Sequence, residues 1–144
     1  MPERCVDASI AIKWFIKGES FRHKAVKFLR DSQAAGIELI APALFEMETD
    51  SVIQTRLVEG KVTPQIADQT LALLDNAPIM IANHPRLRLR AREIARQFQQ
   101  RKVYDSTYAA LAELRGCEFW TADKVFYDAV KAALPFVKYL PDYH

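Results

Sequence analysis

The sequence predicts an α/β fold built on a mainly parallel sheet. Three observations predict it: short apolar runs alternate with longer stretches of helical periodicity, Gly or Pro punctuates most of the junctions, and no linker, repeat or low-complexity tract intervenes. The chain has 144 residues, 50% hydrophobic and 26% charged, with 4 Gly, 7 Pro and 2 Cys. That composition predicts one domain over 1–144, with a core large enough to need no metal or disulfide staple.

Taken in order, Arg4 to Asp7 reads as a strand ending in a carboxylate. Helical spacing follows over 9–16 and over 20–34, the latter through Phe21, Ala25, Phe28 and Leu29, until Gly36 stops it. Residues 37–41 form a second apolar run between Gly36 and Pro42, and a helix is expected over 43–58. The next helix opens at Thr63-Pro64, with Thr as N-cap and Pro at the first helical position, and its expected apolar stripe is Ile66, Thr70, Leu73 and Leu74. Ile79 to Ala82 is a third strand, followed by a helix whose buried face is Leu87, Ala91, Ile94 and Phe98. A helix over 105–115 ends at Gly116, Glu118 to Thr121 is a fourth strand, 123–133 a helix and Val137 to Leu140 a last strand.

Several classes are excluded or disfavoured. No run approaches the ~18 apolar residues of a membrane span. Asp7 falls inside what would have to be the apolar region of a signal peptide, so a cytoplasmic protein is expected. Cys5 and Cys117 belong to no CxxC or Cys/His cluster and read as reduced, buried small hydrophobes. Net charge is only +2, but Arg86, Arg88, Arg90, Arg92, Arg96, Arg101 and Lys102 crowd one segment against a single acid, Glu93.

The acids carry the chemistry. In a parallel sheet the ligand site lies beyond the carboxyl ends of the strands, and two predicted strands run into an aspartate there, Asp7 and Asp123. Asp105 opens the helix that leads into the fourth strand. Each could merely cap a helix, since Asp is a favoured N-cap. On the 43–58 helix, however, a 100° step per residue puts Glu48 near the middle of an arc made by Leu44, Phe45, Met47, Val52 and Val58, with Glu46 and Asp50 on the opposite side. A carboxylate on a buried face must be paired, protonated or bound to a cation. An arginine partner is one solution. A cluster of Asp7, Glu48, Asp105 and Asp123 around a hard divalent cation is the other, and oxygen-only ligands favour Mg²⁺ or Mn²⁺. Such a site suits phosphoryl transfer. His23, His84 and His144 are scattered and read as surface residues.

These residues resemble the PIN-domain family and, within it, the VapC-type toxins of bacterial toxin–antitoxin systems. Val6-Asp7-Ala8-Ser9 is similar to the family's strand-end motif, Ala41-Pro42 through Glu48 to its Pro-to-Glu segment, Tyr104-Asp105-Ser106-Thr107-Tyr108-Ala109-Ala110-Leu111-Ala112 to its Tyr-Asp signature, and Trp120-Thr121-Ala122-Asp123 to its Thr-x-Asp motif. The resemblance implies an α/β/α sandwich with a central, mainly parallel sheet and a Mg²⁺- or Mn²⁺-dependent endoribonuclease. It implies Asp7, Glu48, Asp105 and Asp123 as catalytic, metal-binding acids, with Ser9 and Thr121 as hydroxyls hydrogen-bonding the cluster or its waters. RNA is the implied substrate, a cognate antitoxin the implied partner and a homodimer the implied assembly. Ser51 departs from the asparagine that many relatives carry there.

Arg88, Arg92 and Arg96 form an i, i+4 ladder that continues through Arg101 and Lys102 to Asp105, and reads either as an RNA track or as a solvated face. Trp14 and Phe15 could stack a base or pack in the core or an oligomer contact. Two other functions compete: a PIN-like RNA- or protein-binding domain without nuclease activity, and a phosphoryl-accepting receiver-like domain, which would need an acidic neighbour that Asp7 lacks.

Overall fold

In the computed structural model, which describes residues 2–144, the strands β1 (Glu3–Val6), β2 (Glu38–Ala41), β3 (Ile79–Ile81), β4 (Glu118–Thr121) and β5 (Val137–Tyr139) form one sheet. Their order is β3-β2-β1-β4-β5 and every neighbouring pair is parallel. The connections are helical: α1 (Ala8–Phe15), α2 (Arg22–Ala34), α3 (Leu44–Val58), α4 (Pro64–Asp75), α5 (Leu87–Gln97), α6 (Tyr104–Arg115) and α7 (Lys124–Val130). A 3₁₀ turn, Leu140–Asp142, follows β5. The fold is the PIN-like α/β/α arrangement expected.

The central strands are covered on both sides, which is why they read as continuous apolar runs rather than alternating ones. Cys5, Val6, Ile40, Ala41 and Phe119 are fully buried. Around them pack Phe28, Tyr108, Leu111, Phe126 and Leu140. Arg4 crosses this core's rim, its guanidinium 5.1 Å from the Phe28 ring centroid and 5.8 Å from that of Tyr143, while it donates to Ser32 Oγ at 2.9 Å.

Strand order positions the site. From β1 the chain steps outward through β2 to β3, then crosses back to β4 and continues outward the other way to β5. The order therefore reverses between β1 and β4, and a crevice is expected at their carboxyl ends. Asp7 and Asp123 follow those two strands.

Local signals account for most element ends. Thr63 caps α4, accepting from Ile66 N–H at 3.2 Å, with Pro64 first in the helix. Gly116 closes α6 with φ +69°, a conformation that costs glycine least. α2 begins at Arg22 rather than 20 because Phe21 takes a left-handed φ of +56°.

Two expected faces are corrected. On α4 the buried residues are Ala67, Thr70 and Leu74, whereas Ile66 and Leu73 are exposed. On α3 they are Phe45, Thr49 and Ile53, whereas Met47 and Val58 are exposed. Thr49 enters the core because its hydroxyl donates to the carbonyls of Phe45 and Glu46. Glu48 thus flanks the buried stripe, about 100° from its centre by the helical step. Trp14 lies in the core, donating from Nε1 to Ala25 O at 2.9 Å, so it offers no free face for a base. Among the cysteines Cys5 is buried and Cys117 only half-buried, and both are free thiols.

Candidate active site

Asp7 ends β1 and caps α1, and it is the most deeply buried of the predicted acids, with 4% of its surface exposed. Its Oδ1 accepts from Ser9 Oγ at 2.5 Å and from Ile10 N–H at 3.3 Å. Its Oδ2 accepts from Thr121 Oγ1, also at 2.5 Å, across the β1–β4 junction. The hydroxyls are themselves fixed: Ser9 Oγ accepts from Ala122 N–H at 2.9 Å and Thr121 Oγ1 from Asp123 N–H at 3.0 Å. Asp123 in turn caps α7, accepting from Phe126 N–H at 3.1 Å. A single chain of hydrogen bonds therefore orients Asp7 and Asp123 from opposite sides of the strand reversal.

Asp105 sits in the first turn of α6 and is half-buried. It is not the N-cap of its helix; Val103 is. Glu48, on α3, is half-buried beside Tyr108 of α6. The Tyr108 hydroxyl is near enough to moderate the rise that burial gives the Glu48 carboxyl, but no hydrogen bond closes between them. Glu48 Oε1 and Tyr108 Oη are both buried without a partner. Tyr108 belongs to the family signature, yet its sequence context alone gives it no role at the site. Its place three residues after Asp105, one turn along the same helix, is the signal that could have found it.

The four acids share one electrostatic environment. Burial raises Asp7 from 3.8 to about 6, against the hydroxyls of Ser9 and Thr121, with the Glu48 charge adding to the rise. Burial also raises Asp105, to about 7, helped by the charges of Asp7 and Asp123. Glu48 is raised by burial, and the Asp105 charge adds to this. Burial pushes the Tyr108 hydroxyl far up, and it stays protonated. None of the ion pairs among the described residues involves these four acids, so the arginine partner considered for Glu48 is not there. The cation that feels the Asp7 charge, Lys13, donates instead to Ser20 O at 2.7 Å, and Arg56 is paired with Glu19 at 2.9 Å.

The donor set fits a hard divalent cation: four carboxylates, one with a buried, unpartnered oxygen, and no histidine or thiolate among them. Their spacing is looser than that of a closed site. Among the described residues no three His, Cys, Asp or Glu side chains come close enough together to hold a metal ion.

Arg88, Arg92 and Arg96 are exposed, and none is ion-paired among the described residues. Arg90 is turned inward instead, its fork on Glu113 of α6. That pair and the turn over 98–103 set α5 antiparallel to α6. The ladder consequently rises toward Asp105, with Arg88 at the far end and Arg96 about 12 Å nearer by the helical rise. Arg101 and Lys102 are exposed in the turn itself.

Sequence and structure comparisons bear on the family and the fold. The family model for the PIN domain matches residues 4–132. The chain belongs to the PIN domain family. Among solved structures it is similar to PAE2754 from Pyrobaculum aerophilum, with a TM-score of 0.59 and 19% identity over 92% of this chain and 89% of that one. It is also similar to VapC20 of Mycobacterium tuberculosis, a toxin that cleaves the sarcin–ricin loop, with a TM-score of 0.64 and 16% identity over 94% of this chain and 98% of that one. No curated protein matches the sequence. No helix among the described residues is long and apolar enough to cross a membrane.

Proposed function

We propose that this protein is a Mg²⁺- or Mn²⁺-dependent endoribonuclease that hydrolyses RNA phosphodiester bonds as the toxin of a toxin–antitoxin pair. The observation that supports the reading is four electrostatically coupled acids, none ion-paired among the described residues, one of them with an orphaned buried oxygen. Burying carboxylates without cations costs stability, and such a site is understandable as one built for a ligand of positive charge. Membership of the PIN domain family and the likeness to VapC20 support the toxin part of the reading.

Asp7, Glu48, Asp105 and Asp123 are the residues that would hold the ion. When bound, a divalent cation supplies neutralisation of phosphate charge and Lewis acidity. The protein's own part is orientation. Ser9 and Thr121 fix both oxygens of Asp7 and leave it no freedom to rotate. The α7 N-terminus holds Asp123. Tyr108 bounds the Glu48 side of the crevice with a hydroxyl that does not ionise. Arg96, Arg101 and Lys102 would draw the RNA backbone toward Asp105. The protein would work in the cytoplasm, with an antitoxin segment occluding the acids. It would form a homodimer through the apolar residues left uncovered on α3 and α4, Met47, Val58, Ile66 and Leu73.

One observation favours a second reading, an RNA- or protein-binding domain that does not cut: the acids stand too far apart for any three to share a cation. Incubating the purified protein with a mixed RNA pool in Mg²⁺, in Mn²⁺ and in EDTA, beside the Asp7→Asn variant, separates the two. Metal-dependent cuts that the variant loses are expected. Intact RNA in every lane, with the protein folded and free of antitoxin, establishes the binding reading instead.

A further inference from the structure

Of 8 Phe, 5 Tyr and 2 Trp, only Phe21 and Tyr104 are exposed, at 43% and 47%. Phe21 precedes α2 in the loop after α1. Tyr104 immediately precedes Asp105. It is the first residue of α6, four positions before Tyr108, so the two share a helix face about one 5.4 Å turn apart. Tyr108 is fully buried, stacked on Phe119 with centroids 5.6 Å apart, and borders Glu48. Tyr104 extends the same face outward past the carboxyl edge of the sheet, next to Asp105.

The other aromatic rings near that edge are already occupied. Tyr127 and Tyr139 stack on each other at 5.1 Å, and Trp120 is packed edge-on against Tyr143. Tyr104 has one neighbour of note, Lys102, whose Nζ lies 5.7 Å from the ring centroid, and half of its surface is open. Charge decides what it fits. From Arg96 to Tyr104 the chain carries Arg96, Arg101 and Lys102 and no acid, and the Arg88-Arg92-Arg96 ladder leads up to the ring. An exposed aromatic among unpaired cations is the construction that binds single-stranded nucleic acid, bases stacking on rings while cations follow the backbone.

We infer that the open face of Tyr104 is a stacking platform for one base of single-stranded RNA, beside the phosphate held at the acids, with Lys102 on the adjoining phosphate. This rests on the ribonuclease reading and adds to it a residue that sets where along the strand the RNA sits.

The test uses the full chain with Asp7→Asn, so that the probe survives, and short single-stranded RNAs carrying 2-aminopurine at successive positions. Anisotropy gives the affinity and 2-aminopurine fluorescence reports stacking. Strong quenching at one position is expected. Adding Tyr104→Ala should weaken binding about tenfold and abolish that quenching, within the roughly 5- to 150-fold that stacking one base on an aromatic contributes, whereas adding Tyr104→Phe should keep both. Unchanged affinity and quenching with Tyr104→Ala overturn the platform, and that is also the result if the ring serves a protein partner. Absence of RNA binding overturns it as well. Cleavage assays with Asp7 intact keep the two readings apart. If RNA is cut with the same kcat/KM by the wild type and by Tyr104→Ala, the platform alone fails. If the wild type does not cut while Tyr104-dependent quenching stands, the ribonuclease reading alone fails.

Discussion

Asp7→Asn should make the metal-free protein more stable at neutral pH, although it removes the acid best fixed by the fold. Asp7 is 4% exposed and its carboxyl is raised from 3.8 to about 6, chiefly by burial. The folded state therefore favours the protonated form. Well below its ordinary value of 3.8 the group is protonated whether the chain is folded or not and costs nothing. Between about pH 4 and 6 the unfolded chain ionises it while the folded state keeps it protonated, and above 6 the folded state bears the full difference, about 3 kcal/mol at 1.36 kcal/mol per unit. Asparagine has no such cost. Its Oδ1 can keep the Ser9 and Ile10 bonds, and its Nδ2 can donate to Thr121 Oγ1 once that hydroxyl turns away. The lost charged hydrogen bonds offset about 1 kcal/mol of the gain, which leaves a net stabilisation of about 2 kcal/mol. The assay is urea denaturation in EDTA from pH 4.5 to 8. The variant should exceed the wild type by about 2 kcal/mol at pH 7.5, and the two should converge toward the acid end. Mn²⁺ should then raise the wild type and leave the variant nearly unmoved, since binding to the native state alone is what stabilises. A variant less stable than the wild type at pH 7.5 in EDTA, or a difference that does not change with pH, refutes the claim that Asp7 is held ionised against its burial.

Three further outcomes follow from the same geometry. Thr121→Val removes a donor to Asp7 and the acceptor for Asp123 N–H; it should cost about 1–3 kcal/mol in denaturation and weaken Mn²⁺ binding in calorimetry. Replacing Arg88, Arg92 and Arg96 with Ala should leave the thermal midpoint unchanged. It should also flatten the dependence of log affinity for single-stranded RNA on log salt by up to about 2, at about 0.7 for each phosphate no longer neutralised. If the proposed homodimer forms through α3 and α4, Met47→Asp with Leu73→Asp should leave only monomer in sedimentation equilibrium without loss of helical circular dichroism, because both side chains are already exposed in the single chain.

The elements of this chain were legible because their signals are local. Thr63-Pro64 starts a helix and Gly116 ends one wherever the segments lie in space, and the apolar runs at β1, β2 and β4 announce strands covered on both faces. Aspartates at strand ends followed by helices are equally local, so Asp7 and Asp123 could be picked out before any coordinate. Helix faces were less secure. The α3 wheel counted Met47 and Val58 as inward because they are apolar, and only packing shows that Thr49 goes in and they stay out. The same blindness left Trp14 undecided between a base and the core, until Ala25 supplied its hydrogen-bond partner.

By itself, then, the sequence determined the alternation of strands and helices, the four acids and the basic track, since periodicity, capping and charge are properties of neighbouring residues. Tertiary structure decided what those acids are to one another. The crossover that sets β4 beside β1 brings Thr121 onto Asp7 across 114 positions of chain. The packing of α6 against β1 and β4 brings Tyr108 to Glu48 and leaves Tyr104 open above it. Long-range pairing is fixed by the summed burial of the whole sheet rather than by any one segment, so a site built on the junction of two distant strands comes into view only when the sheet is assembled.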